Sequence, residues 1–312
     1  MTTFNKILDV KDVTRVDWLN ARKIGIGGSD MAAIMGLNKW RSAVDVWLDK
    51  TGQIVEEQEE NEFMYWGNVL EEVVAKEFER RANLKVRRNN FMLQSVEYPF
   101  LLANLDREIV GQKVGLECKT ASAFKSEEWE GDSVPDIYYI QCQHYMAVTG
   151  YGSWWIACLC GGNSFFFKEI PRNEEVIALI IEKGKEFWQH VTDLTMPDIT
   201  GQESCKKALT KLYPDSNGES VNLPDTAAIY IEQYNRASEA EKTAGKQKLE
   251  AQNILTNMLG VNEIGFAGDF KVSWKNTKPR ETFDGKKLKA DYPEIAKNYI
   301  KIGEPSRRFG IK

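Results

Sequence analysis

Leu105-Asp106-Arg107-Glu108-Ile109-Val110-Gly111-Gln112-Lys113-Val114-Gly115-Leu116-Glu117-Cys118-Lys119 decides the fold. Residues 100–110 and 114–121 are short, β-favouring segments, and Gly111-Gln112-Lys113 reads as the hairpin turn between them. Side chains alternate along a strand, so Glu117 and Lys119 share one face and Cys118 points to the other. The hairpin can set Asp106, expected on the preceding strand, beside that pair. Two carboxylates are hard oxygen ligands suited to Mg²⁺, which takes one or two of them and keeps waters. The backbone carbonyl of Cys118 offers a further oxygen, and the Lys119 ammonium can hold or help deprotonate a water, or stabilise developing charge. Such a set suits phosphodiester hydrolysis. The alternative is a surface Glu–Lys pair on an exposed strand. Leu116 and the apolar run before Asp106 favour a mostly buried sheet, where charges need a reason.

Working outward, residues 14–23 read as a helix capped by Thr14 with Asp17 three residues on. Residues 24–30 break it, Met31 starts a short helix, and residues 41–50 form another, closed by Gly52. Residues 56–62 read as a charged loop. Residues 66–82 form an amphipathic helix with Val69, Leu70, Val73, Val74 and Phe78 on one face. Residues 85–95 read as a strand. Pro135 opens a helix that runs to Val148 and ends at Gly150. Residues 153–160 and 164–170 flank Gly161-Gly162-Asn163, a hairpin signal, and residues 172–191 are helical. This order makes an α/β (α+β) domain with a central mixed sheet flanked by helices, expected over residues 1–200. Residues 201–312 read as an appendage: a long, thinly apolar helix over 225–259, a small β element near 266–274, and a tail with Arg307-Arg308-Phe309.

The 312 residues include 42% hydrophobic and 28% charged side chains, ordinary for a soluble protein. No apolar run reaches the ~20 residues of a membrane span, and residues 1–10 lack a signal-peptide core. Five unframed cysteines suit a reducing cytoplasm. Cys158-x-Cys160 is too tight for an iron–sulfur pair, and His144 and His190 are too few for zinc. A net charge of −5 argues against coating nucleic acid non-specifically. Local basic clusters remain: Arg80, Arg81, Lys85, Arg87 and Arg88, then Lys271, Lys275, Lys278 and Arg280. Each is either a solvated face or a DNA contact.

Other residues can join the chemistry. Glu71 sits at the edge of the 66–82 apolar stripe and can face a sheet. Glu72 projects away into solvent, and Glu77 falls inside the stripe as a second candidate or a snorkelling chain. Gln141 and Tyr145 share a helix face; the glutamine either orients a water or is a core-edge amide. Gly27-Gly28-Ser29, with Arg22 one helix earlier, is either a phosphate cradle or a plain glycine turn with Ser29 as N-cap.

Trp18-x-x-x-Arg22-x-x-Gly25-Ile26-Gly27-Gly28-Ser29-Asp30, Trp66-Gly67-x-x-x-Glu71, Asp106, Glu117-Cys118-Lys119 and Gln141-Cys142-Gln143-His144 before Val148-Thr149-Gly150 follow one another in an order that resembles the YqaJ-type phage recombinase nucleases. These are relatives of lambda exonuclease in the restriction-endonuclease-like D…E-x-K superfamily. The resemblance implies 5′→3′ digestion of linear double-stranded DNA, leaving a 3′ tail for a single-strand annealing protein. It implies Mg²⁺, with Mn²⁺ as substitute, held by Glu71, Asp106, Glu117 and the Cys118 carbonyl. Lys119 and Gln141, or Gln143 in its place, would surround the attacking water, while Arg22 and Ser29 would grip the 5′-phosphate. A homo-oligomer, as in the ring-shaped trimers of such relatives, and the cytoplasm of a bacterial host, with the chain encoded by a phage or prophage, are implied as well. The tail from about Gly201 is absent from the shortest relatives but looks like the C-terminal part of longer YqaJ-type proteins. The competing readings are another D…E-x-K endonuclease or repair nuclease, and a non-catalytic DNA-binding scaffold worked by the long helix.

Overall fold

The computed structural model describes residues 2–53, 61–301, 303 and 306–311, in two compact units divided after Tyr213. In the first, β1 (Phe4–Asp9) pairs antiparallel with β3 (Phe91–Ser95), and β3 with β4 (Leu102–Asn104). A five-stranded sheet follows the order β2 (Val86–Arg88), β5 (Arg107–Ile109), β6 (Val114–Ala121), β7 (Ser153–Cys160), β8 (Ser164–Pro171). Its neighbours are antiparallel except β6 and β7, which run parallel. The hairpin expected over 161–163 is present, with Gly161 and Gly162 at positive φ.

The two strands expected over 85–95 and 100–110 are each broken. Together they form one antiparallel ribbon, whose first half (β2–β5) belongs to the large sheet and whose second (β3–β4) belongs to the small one. On one leg the break falls at Asn89-Asn90, where the Asn89 side chain accepts from the Phe91 N–H at 3.0 Å. A short polar side chain that bonds nearby backbone competes with the ladder in this way. On the other leg it falls at Leu105-Asp106. Asp106 therefore sits on a bend between strands, not on a strand as expected.

The helices follow their caps. α1 (Arg15–Ala21) is capped by Thr14 and runs into a 3₁₀ turn, Arg22–Ile24. α2 (Gly28–Ile34) begins earlier than expected, with Gly27 as N-cap, so Ser29 lies inside the first turn rather than capping it. α3 (Ala43–Thr51) has a Ser42/Asp45 capping box and ends at Gly52, φ 68°. α4 (Glu62–Ala82) also starts early, because the Asn61 side chain accepts from the Met64 N–H. That start is the described part of the charged stretch read as a loop; residues 56–60 lie outside the described residues. A second 3₁₀ turn covers Ala123–Trp129. α5 (Asp136–Thr149) runs from Pro135 to Gly150, and α6 (Glu174–Thr192) follows the hairpin. α7 (Glu203–Leu212), unexpected from the sequence, packs on α3 and buries Cys205 and Ala208.

The large sheet is covered on both faces. Val74 and Phe78 of α4 pack on Ile109, Leu116 and Ala157, with Cys118 beside them. Ile140, Cys142 and Tyr145 of α5 join Trp154, Ile156 and Cys158 on the opposite face. Gly115 is required there, since a Cβ at that position would stand 2.1 Å from the Trp154 indole.

The second unit holds α8 (Ala227–Leu259), the antiparallel hairpin of β9 (Ile264–Ala267) and β10 (Phe270–Ser273), α9 (Gly285–Asp291) and α10 (Pro293–Lys297). Among the described residues no helix is long and apolar enough to cross a membrane.

Candidate active site

The β5–β6 ladder pairs Arg107 with Leu116 and Glu108 with Gly115, and goes no further. Beyond it, β6 has one backbone edge without a strand partner. The Cys118 N–H on that edge donates to Asp106 Oδ2 at 2.8 Å. Because a strand residue directs its N–H and C=O to the same side, the Cys118 carbonyl opens toward the same edge as the Asp106 carboxylate. Its thiol lies on the α4 face. The bend at Leu105-Asp106 thus lets the aspartate leave the ladder and lie against β6.

Glu117 is buried on the α5 face, as strand alternation requires. Its Oε1 accepts from Lys119 Nζ and, at 2.6 Å, from Gln141 Nε2. Gln141 Nε2 also donates to Tyr145 Oη at 2.7 Å. The other oxygen, Oε2, is buried with no hydrogen-bond partner among the described residues. Burial, and then the Glu117 charge, push the Asp106 carboxyl well above the usual carboxylate range. Burial also raises Glu117, although Lys119 opposes the shift. Burial works against the Lys119 ammonium, yet Glu117 and Asp106 outweigh it and hold it charged. Two carboxyls that resist ionisation beside one ammonium form a centre short of positive charge.

That shortage, with the orphaned Glu117 Oε2, fits a divalent cation. Among the described residues no three His, Cys, Asp or Glu side chains are gathered as a closed metal cage. Asp106, Glu117 and the Cys118 carbonyl form an open oxygen set, which matches the habit of Mg²⁺ of keeping much of its water. Glu71, the fourth expected ligand, is engaged by an arginine. Its Oε1 is bound by Arg107 Nη1, while Arg107 Nη2 bonds Glu72 at 2.9 Å. The Glu71 charge still reaches the centre, raising both Asp106 and Glu117. Glu72, expected to be merely solvated, also meets Lys76 and Arg88. Glu77 is held by Arg80 and Arg81, its carboxyl lowered to about 2 by their hydrogen bonds, and takes no part in the cluster.

Gln141 and Gln143 part company. Gln143 donates to the Pro171 carbonyl and accepts from the Asn173 N–H, tying α5 to the start of α6. Gln141 alone of the two reaches Glu117.

Arg22 and Ser29 are brought together: Arg22 Nη2 donates to Ser29 Oγ at 3.3 Å, with the guanidinium over the Trp18 ring at 4.7 Å. Beneath them is Asp30, fully buried and unassigned from sequence. It accepts from the Gly27 N–H, and meets Lys50 at 2.8 Å, Arg22 at 3.7 Å and Arg41. Burial disfavours its charge, but Lys50, Arg41 and Arg22 outweigh this and hold the carboxyl well below the usual range. Arg22, Arg41 and Lys50 stand against two carboxylates, Asp30 and the more exposed Asp49 that meets Arg41 at 2.9 Å, which leaves one positive charge in excess near the start of α2. This turn is next to the carboxylate centre, because Gly28 packs directly on Gln141 and Tyr145.

Sequence reasoning missed Arg107 and the Asp30–Lys50–Arg41 cluster. A buried arginine directly after the candidate aspartate was the available signal for the first. The second spans three separate elements.

Known proteins resemble this chain in sequence and in fold. A YqaJ-like viral recombinase domain matches residues 17–152. The uncharacterized protein YqaJ of Bacillus subtilis (strain 168) is 40% identical over 307 residues, covering 96% of this chain and 95% of its own. Among solved structures, an alkaline exonuclease (LHK-Exo) from Laribacter hongkongensis matches with a TM-score of 0.50 at 18% identity, covering 63% of this chain and 99% of that one. The same enzyme in complex with dAMP matches with a TM-score of 0.48 over the same shares at 18% identity. The mixed α/β fold is thus shared, over 63% of the chain, with a known exonuclease, and the chain belongs to the YqaJ-like viral recombinase family.

Proposed function

We propose that the protein is a divalent-metal-dependent 5′→3′ exonuclease that digests linear double-stranded DNA from a 5′-phosphorylated end and leaves a 3′ single-stranded tail. The observation that carries this reading is the open edge of β6, where Asp106, the Cys118 carbonyl and the orphaned Glu117 Oε2 accompany Lys119. The fold likeness to an alkaline exonuclease supports it. Asp106, Glu117 and the Cys118 carbonyl would hold Mg²⁺, or Mn²⁺ in its place. When bound, the cation supplies Lewis-acid stabilisation of the phosphate and a more acidic water. Lys119 adds a fixed positive charge and a donor on the face where the phosphorane charge builds. Gln141, held between Glu117 and Tyr145 Oη, keeps Glu117 in one orientation. Arg22 and Ser29 would take the terminal 5′-phosphate; this supports the 5′→3′ direction, because the gripped end lies beside the cleaving centre. A strand-annealing protein that takes up the 3′ tail, a homo-oligomeric enzyme and a reducing cytoplasm complete the proposal. The five free thiols suit such a compartment.

The test is a time course on linear duplex with 5′-phosphate or 5′-hydroxyl ends, and on closed circular DNA, with Mg²⁺ or a chelator. Expected are metal-dependent loss of the 5′-labelled strand, slower loss from the hydroxyl end, and an intact circle. Lys119→Ala should lower the rate by at least about a hundredfold without unfolding. Nicking of the circle would instead favour a D…E-x-K endonuclease. Undiminished cleavage by Lys119→Ala would remove the assignment.

A further inference from the structure

We propose that the β9–β10 hairpin of the second unit is a binding site for single-stranded DNA, distinct in residues from the catalytic set. The register decides which face is available. Val272 lies opposite Gly265, and a Cβ at Gly265 would stand 2.8 Å from Leu259 Cδ2, so at this pair the face packs on the end of α8, where Leu259 is buried, while Phe270 farther along it is 78% exposed. Alternation then turns the Phe266–Lys271 pair to the other face. Phe266 is 76% exposed, directly across the ladder from a lysine. The Trp274 N–H bonds the Glu263 carbonyl at 2.9 Å, which closes the base of the hairpin and holds the pair in register.

Charge identifies the occupant. From Glu263 to Lys289, the hairpin and the segment that follows it, seven lysines and arginines stand against four carboxylates, Glu263, Asp269, Glu281 and Asp284, in a chain of net charge −5. Protein–protein interfaces are depleted in lysine at their centres, whereas aromatic rings set among cations are the pattern of single-strand binding. A phenyl ring standing on a strand needs an unstacked base, which a duplex interior does not present. The identity of the ligand as DNA rests on the nuclease reading above, in which single strand is the product.

The experiment uses the full chain with a chelator, so that nothing is cleaved, and follows the fluorescence anisotropy of a labelled oligothymidylate. Phe266→Ala should weaken binding by at least about fivefold. Lys271→Ala should reduce the slope of log affinity against log salt by roughly 0.7. Phe266→Trp, which keeps a ring, should retain binding and so separates stacking from misfolding. Mg²⁺-dependent cleavage of a short duplex should be unchanged in all three. Unaltered oligothymidylate binding by Phe266→Ala and Lys271→Ala overturns the proposal, and leaves the hairpin as a face for a protein. Equal loss on a closed hairpin duplex overturns it as well. Because binding is read without metal or turnover, failure of the exonuclease assay and failure of this one are separate results.

Discussion

Gly28 lies directly against Gln141. A Cβ at position 28 would stand 2.9 Å from Gln141 Cγ and 2.8 Å from Tyr145 Cε1, so the turn carrying Ser29 and the amide that bonds Glu117 are in contact through a missing side chain. Gly28→Ala should displace Gln141 from Glu117 and lower kcat by about ten- to a hundredfold, with a stability loss of about 1–3 kcal/mol from overpacking. The check is kinetic coupling. In a Gln141→Ala background the same substitution should cost far less, since the residue it displaces is gone. Additive losses would break the link.

Asp30 is the anchor of the Arg22–Ser29 turn. Asp30→Asn leaves Lys50, whose side chain is 1% exposed, with only the more distant Asp49 carboxylate at 3.9 Å. Breaking a buried pair from one side should cost about 3–5 kcal/mol in urea unfolding at pH 7. The sign with pH follows from a depressed carboxyl: its contribution is complete above the unfolded pKa near 4 and fades as pH falls below it. The unmutated chain and Asp30→Asn should therefore converge in stability under acid, and a gap that stays constant to pH 2 would contradict the assignment.

His144 supplies a second pH signature. Burial lowers its pKa from 6.5 to about 4, against the opposing hydrogen bond to the Leu102 carbonyl. The unfolded chain takes up a proton as pH falls through 6.5, while the folded one does not until about 4. Stability is lost across that window, by about 2 kcal/mol between pH 7 and pH 5. Comparison with His144→Gln isolates this slope from Asp106 and Glu117, whose raised values tilt the curve the other way. Parallel curves for the two proteins would show that His144 is not buried neutral.

What could be read from the sequence was local. β6 and the β7–β8 hairpin follow from alternation and glycine turns, and α5 from Pro135 and Gly150, so the shared face of Glu117 and Lys119 needed no tertiary information. The approach of Asp106 was legible, although its place on a bend was not, because Leu105-Asp106 carries no turn signal of its own. Arg107 escaped notice because its partner Glu71 is 36 residues away on a helix that packs only in three dimensions. β1 was missed for the same reason, since Phe4 pairs with Ser95. Spacing left Gln141 and Gln143 equivalent; only the tie of Gln143 to Pro171 and Asn173 tells them apart.

The ribbon shared by the two sheets has a consequence for how the molecule breathes. Since β2 continues into β3 and β4 into β5, neither sheet can fray through its shared strands without pulling on the other. Amide protons of β3, β4 and β5 should then exchange with solvent as one cooperative block rather than as two. Asp106 sits at the crease of that block, held by a backbone amide rather than by a flexible side chain. Its carboxylate is consequently positioned by a block that opens as one unit rather than by a loop free to move alone.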